Sequence, residues 1–135
     1  FNITVVLGML SPHNKMVQNY AKDKDIKVII NASNMAELML EADLAIGAGG
    51  STSWERCCLG LPTLLFVTAE NQRAVAENLE HSGAVIIVEN LKDDLQMMAS
   101  NFDLWRAISE KSQAICDGFG VKRIKIWLIK YKNMS

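Results

Sequence analysis

The sequence is poor in several features that would each announce a class of protein. It has only three cysteines, Cys57, Cys58 and Cys116. Their number is odd and their spacing fits no zinc pattern, so a reducing cytoplasm is the expected setting. No apolar run approaches the ~18 residues of a membrane span. Residues 1–10 are apolar but lack a basic leader, and they read as a strand rather than a signal peptide. Neither sign of charge dominates: the formal net charge is −1, which argues against a dedicated nucleic-acid binder. Linkers, internal repeats and low-complexity segments are also lacking.

What remains is a globular composition, 50% hydrophobic and 21% charged over 135 residues, about one domain's worth. Short apolar runs alternate with helical patterns. Strands are predicted at 3–9, 26–30, 43–47, 63–68 and 84–88. Helices are predicted at 15–23, 34–42, 52–60, 71–83, 91–100 and 103–117. Asn34 and Glu37 have the spacing of a capping box, and Gly83 ends the 71–83 helix. Continuous apolar strands alternating with helices indicate an α/β fold, a Rossmann-like parallel sheet flanked by helices. Such sheets bind ligands at the carboxyl ends of their strands. Residues 8–14, 31–34, 47–53 and 68–72 are therefore expected on one rim.

The stretch GAGGSTSWERCCLGLP (47–62) is the most informative. It fails as a dinucleotide fingerprint, because Thr52 stands where the third glycine belongs and the turn follows the third strand. A Walker loop needs a lysine that is absent, and a nucleophile elbow needs glycines flanking the serine. Two readings survive. In one, the segment is an anion-binding strand–turn–helix: Gly49 and Gly50 take positive φ and leave room, Ser51 and Thr52 donate, and the helix dipole favours negative charge. In the other, it is only a well-capped helix, with Thr52 and Glu55 as the capping box.

Trp54, Cys57, Cys58 and Leu61 follow the i, i+3, i+4, i+7 rule and are predicted to face the core, which makes the cysteines packing residues rather than nucleophiles. Glu55 lies off that stripe and leans toward the turn. A carboxylate beside a phosphate suits a sugar diol, whose two hydroxyls match its two oxygens.

The segment ADLAIGAGGSTSWERCCLGLPTLLFVTAENQ (42–72), with CDGFGVKRI (116–124) and more loosely the first strand, resembles the C-terminal half of the UDP-2,4-diacetamido-2,4,6-trideoxy-β-L-altropyranose hydrolases of pseudaminic acid biosynthesis. More distantly it is similar to the UDP-binding half of the GT-B glycosyltransferase that builds lipid II. The resemblance implies the C-terminal half of a GT-B fold. Residues 1–121 would form the UDP-binding domain and 122–135 a basic, helical tail, with the N-terminal catalytic domain absent from this chain. It further implies that Gly49, Gly50, Ser51 and Thr52 face the diphosphate and that Glu55 holds the ribose. Uracil would be received near Ala32 and Met35, with Asn71 and Gln72 reaching the diphosphate and sugar. The implied reaction is inverting, hydrolytic release of UDP, in a pathway of surface polysaccharide or flagellin glycosylation. The implied partners are UDP, the UDP-sugar and the N-terminal domain, with no cofactor, no metal, no nucleic acid and no membrane.

The family's histidine base belongs to the N-terminal domain, so no catalytic residue is expected here. His13, in a polar turn, and His81, at the end of the 71–83 helix, are read as solvent-exposed and structural. In the tail, residues 122–132 carry five basic residues and no acid. Val121, Ile124, Leu128 and Tyr131 form one stripe, expected to pack on the sheet or on the N-terminal domain; binding to a membrane surface is the sharper alternative. Two rivals remain for function: the nucleotide-sugar-binding half of a GT-B glycosyltransferase, and a non-catalytic nucleotide-sugar binding module.

Overall fold

The computed structural model describes residues 1–132. The last three residues of the predicted tail, 133–135, lie outside the described residues. The chain forms two compact units, Phe1–Glu37 and Leu38–Ser135.

The first unit holds β1 (Ile3–Leu7), α1 (Asn14–Ala21) and β2 (Ile26–Ile30), and α2 (Met35–Leu40) begins within it. The two strands pair in parallel, from Ile3 opposite Ile26 to Leu7 opposite Ile30. Asn31 N–H donates to Leu7 O at 2.8 Å and adds one rung beyond β2. Asn31 itself takes a left-handed backbone (φ 57°), which asparagine tolerates better than most side chains. The loops 8–14 and 31–34 therefore leave from the same ends of neighbouring strands. Asn34 and Glu37 do meet, but side chain to side chain, Nδ2 to Oε2 at 3.0 Å.

The second unit holds β3 (Ala45–Ala48), α3 (Thr52–Cys58), β4 (Thr63–Phe66), α4 (Glu70–His81), β5 (Ile86–Ile87), α5 (Leu91–Ser100), α6 (Phe102–Ile115) and α7 (Gly120–Lys132). Its three strands lie in the order β3, β4, β5, all parallel. Successive side chains of a strand face opposite ways, and β4 shows the consequence. Leu65 packs with Cys57 of α3 and with Ala76 and Leu79 of α4, whereas Leu64 packs with Met98 of α5 and Ile108 of α6. Both leucines are fully buried, each contributing roughly 1.5–3 kcal/mol. A strand covered on both faces is apolar on successive residues, which is why Leu64 and Leu65 show no alternation.

The α/β reading thus holds, with parallel strands flanked by helices, but the five strands divide into a two-stranded and a three-stranded sheet. The fifth strand is also shorter than predicted. Ala84 N–H is drawn back to Leu79 O, and Ile87 N–H is taken by the Glu80 carboxylate at 2.8 Å. Glu80 thereby occupies a donor that an edge strand would otherwise expose.

The helix ends follow the sequence closely. Gly60 N–H bonds Cys57 O and Leu61 N–H bonds Arg56 O; Gly83 N–H bonds Glu80 O and Ala84 N–H bonds Leu79 O. Both pairs are Schellman motifs, and the two glycines supply the positive φ they need, 65° and 73°.

The tail is helical as expected, and of its two expected packings the structure addresses only the one on the sheet. Helix α7 forms, but none of its residues is buried, so the stripe Val121, Ile124, Leu128 and Tyr131 does not pack on the sheet. Leu64 and Leu65 of β4 are already covered by residues of α3 to α6. The start of α7 is tethered by Arg123, whose guanidinium pairs with the Asp117 carboxylate.

Candidate functional site

In the second unit, the β3–α3 and β4–α4 connections leave the carboxyl ends of adjacent parallel strands. The β3–α3 turn is built by backbone pairing. Gly49 N–H donates to Phe66 O at 3.0 Å and extends the β3–β4 ladder; Gly50 N–H donates to Ala48 O and Ser53 N–H to Gly50 O, both at 3.0 Å. Among the described residues the N–H groups of Ser51 and Thr52 have no acceptor, and both residues are exposed.

The glycines work differently from the prediction. Neither Gly49 nor Gly50 has positive φ. Gly49 is bare because it packs closely: a β-carbon there would lie 3.1 Å from Leu65 Cδ2 and 3.7 Å from Gln72 Cβ. Gly50 meets nothing within 4 Å, so its missing side chain leaves open space rather than relieving a clash.

The capping-box reading of α3 fails. The N-cap is Ser51, already in a helical conformation and with no side-chain cap bond, so Thr52 and Glu55 are not reciprocal partners. Glu55 is exposed, and its carboxylate is not spent on the helix start.

The buried face of α3 is also rotated from the predicted one. Cys57 and Leu61 are buried and Cys58 half-buried, but Trp54 is 43% exposed. Ser53 and Arg56 lie inward in its place. Arg56 was not foreseen. Its Nη2 donates to Ala48 O at 2.9 Å and to Ser53 Oγ at 3.1 Å, directly beneath the glycine turn. Desolvation by burial lowers the guanidinium's pKa, yet an arginine remains charged in any such setting. Burial pushes the Cys57 thiol up, with Cys116 nearby adding to the effect, which fits a packing role rather than a nucleophile.

Across the β4–α4 connection, Gln72 Oε1 accepts from Thr68 N–H at 3.3 Å and from Thr68 Oγ1 at 3.0 Å. With its oxygen committed to the loop, Gln72 has its amide donors to offer a ligand. Asn71 is exposed on the same first turn of α4, beside an exposed Glu70–Arg73 ion pair. The structure therefore brings Gly49, Gly50, Ser51, Thr52, Glu55, Asn71 and Gln72 to neighbouring strand ends of one unit.

Ala32 and Met35 belong to the first unit, where both are half-buried after β2. The other loop of that unit is organised by Asn14, also unforeseen, whose Nδ2 donates to Gly8 O at 3.2 Å and Met9 O at 3.0 Å. His13 precedes it as an exposed N-cap with no side-chain cap bond, and His81 is exposed in the last turn of α4. Among the described residues no three of His, Cys, Asp and Glu are grouped to hold a metal ion. No helix among them is long and apolar enough to cross a membrane.

Residues 1–105 match the glycosyltransferase family 28 C-terminal domain. The chain is 30% identical over 132 residues to the spore coat polysaccharide biosynthesis protein SpsG of Bacillus subtilis, an alignment covering 91% of this chain and 39% of the relative. It is 32% identical over 130 residues to the uncharacterized protein MJ1062 of Methanocaldococcus jannaschii, covering 92% of this chain and 27% of that protein. The chain thus spans well under half the length of either relative. The chain belongs to the glycosyltransferase family 28 C-terminal domain, and its α/β architecture of parallel strands flanked by helices is consistent with one half of a GT-B fold. This is a broader family than the pseudaminic acid hydrolases alone.

Proposed function

We propose that this member of the glycosyltransferase family 28 C-terminal domain binds the UDP moiety of a UDP-sugar, on behalf of an enzyme whose N-terminal domain supplies the rest of the active site. The observation that carries this reading is the uncommitted donor turn: Ser51 and Thr52 N–H have no acceptor among the described residues, and next to them Gly50 leaves open space. Gly49 to Thr52 take the diphosphate, Glu55 accepts from the ribose hydroxyls, and Asn71 and Gln72 donate amides to diphosphate and sugar. The backbone around Ala32 and Met35 receives uracil. Residues 1–121 serve as the nucleotide-binding body, with the basic segment 122–135 appended to it. The expected location is the cytoplasm, where nucleotide sugars are consumed.

The narrower assignment is hydrolysis. Water attacks the anomeric carbon of a 2,4-diacetamido-2,4,6-trideoxyhexose with inversion, a base of the N-terminal domain takes the water's proton, the bond from that carbon to the diphosphate oxygen breaks, and UDP leaves with the electron pair. This chain's part is to stabilise the charge developing on the leaving diphosphate. The long likeness of 42–72 to the pseudaminic acid hydrolases supports this. A glycosyltransferase, with a sugar acceptor in place of water, is the second reading; it is favoured by the family's own description and by a relative named for spore coat polysaccharide biosynthesis. A binding module without chemistry is the third.

Calorimetric titration of this chain with UDP, UMP, ADP and a UDP-sugar tests the proposal. Saturable binding of UDP and the UDP-sugar is expected, and absence of any UDP binding would sink it. Product analysis of the protein joined to its N-terminal domain, with and without a sugar acceptor, separates hydrolase from transferase.

A further inference from the structure

Arg56 is a buried cation with no ion-pair partner among the described residues. Only 7% of its surface is exposed. Among the described residues, no carboxylate lies within ion-pair distance of it. Its Nε is buried without any acceptor. The bonds it does make, to Ala48 O and Ser53 Oγ, are to neutral groups. The neighbouring exposed Glu55 acts on it only through space and forms no ion pair with it; a buried charge without an ion pair is unfavourable, and an apolar side chain of similar length fills the same space without that penalty. Packing alone therefore gives no reason for a guanidinium at this place. Its position supplies one. It lies against Gly47 and Ala48, immediately behind the turn whose next N–H groups, those of Ser51 and Thr52, have no acceptor.

We infer that Arg56 is a positioning residue for the diphosphate: it holds the Ala48 carbonyl inward behind the glycine turn, and a bound diphosphate supplies the counter-charge it lacks. The inference rests on the UDP reading above and deepens it. Arg56 does not touch the ligand. It acts through the turn in two ways. Anchoring Ala48 O keeps an acceptor from facing the anion. A fixed positive charge behind low-dielectric backbone also attracts a diphosphate more strongly than the same charge in water. Gly47 is part of the same device, since a β-carbon there would occupy the place of Arg56 Nη1.

The test compares UDP with uridine by NMR-monitored titration, for the wild-type chain and for Arg56→Met and Arg56→Lys, with thermal unfolding of each free protein alongside. Arg56→Met is expected to weaken UDP about tenfold, the effect of removing a positive charge behind the turn rather than a direct contact, while uridine affinity stays as it was. Arg56→Lys keeps the charge and is expected to recover part of that loss. UDP affinity unchanged in Arg56→Met overturns the inference. So does an equal loss of UDP and uridine, which would mark Arg56 as purely structural. If Arg56→Met does not fold, Arg56→Lys decides: a severalfold fall in the UDP-to-uridine affinity ratio supports the role, and an unchanged ratio overturns it. A wild-type chain that does not bind UDP overturns the underlying reading as well, a result distinct from any loss confined to the variants.

Discussion

The Nη1 atom of Arg56 occupies the volume that a β-carbon on Gly47 would need. A side chain at position 47 and the guanidinium as placed exclude each other. Gly47→Ala must therefore displace the guanidinium, the far end of a flexible side chain, and is expected to destabilise the free protein by about 1–2 kcal/mol through loss of its bonds to Ala48 O and Ser53 Oγ. Gly50 offers the contrast. Nothing lies within 4 Å of its would-be β-carbon and its φ is not positive, so the fold does not require glycine there. Gly50→Ala should leave stability unchanged or raise it by up to about 1 kcal/mol through the unfolded chain. It should nevertheless weaken UDP, because the methyl enters the space left for the diphosphate. Urea unfolding and UDP titration of both variants check this; normal UDP binding by Gly50→Ala would remove Gly50 from the site.

Glu55 is exposed and forms no capping box, so its carboxylate has no structural duty at the helix start. Glu55→Gln should change the unfolding midpoint little. It should lower UDP affinity by about one to two decades, because a charge-assisted bond to the ribose diol contributes roughly 1.5–3 kcal/mol. The 2′-deoxy analogue of UDP should lose less on the variant than on the wild type, since part of its contact to Glu55 is already missing. Loss of stability with unchanged UDP binding would return Glu55 to a purely structural role.

Much of this architecture is legible in the sequence where backbone geometry leaves one residue type a clear advantage. Gly60 and Gly83 mark their helix ends because a Schellman motif needs positive φ, and Leu64 and Leu65 mark a strand covered on both faces. The face of α3 is less legible. An apolar residue at helical spacing reads as core, which puts Trp54 inward, and nothing in the spacing of a single helix marks the charged Arg56 as buried. The structure turns the helix so that Ser53 and Arg56 go in. The deciding fact is in another element, the bare Gly47 on β3, and the pattern of one helix carries no trace of it. Gly47 in a strand was nonetheless a sign that something approaches closely there. The commitment of Gln72 Oε1 to Thr68 depends likewise on loop geometry, which spacing does not encode.

Nucleotide choice is a separate question from phosphate binding. If the backbone around Ala32 and Met35 reads uracil, its donors and acceptors match one base edge and leave polar groups unpaired against another. UDP should then bind more tightly than ADP or GDP, by tenfold or more if about one hydrogen bond of roughly 1.4 kcal/mol is at stake. Competition titrations against UDP measure the ratios directly. Equal affinity for all three would leave a generic diphosphate cradle at Gly49–Thr52 and withdraw the uridine assignment.

The last expectation concerns turnover by this chain on its own. Hydrolysis needs a water in line with the anomeric carbon and a base within hydrogen-bond reach of that water. The strand ends of the second unit offer mainly donors: two N–H groups without acceptors among the described residues, hydroxyls, and the amides of Asn71 and Gln72. These suit a leaving diphosphate and do not remove a proton from water. Of the carboxylates there, Glu55 is assigned to ribose and Glu70 pairs with Arg73. His81 sits in the last turn of α4, at the opposite end of that helix from Asn71 and Gln72, and exposed His13 has, among the described residues, no carboxylate partner to orient it as a base. Without a second wall around the sugar, the attacking water is also not oriented, and orientation supplies much of the rate. This 135-residue chain is therefore expected to bind UDP and its UDP-sugar without measurable release of UDP. Adding the N-terminal domain as a separate polypeptide should restore some turnover if the halves associate. Robust hydrolysis by this chain, prepared free of any longer form, would place the base here, and His13→Ala would be the first variant to assay.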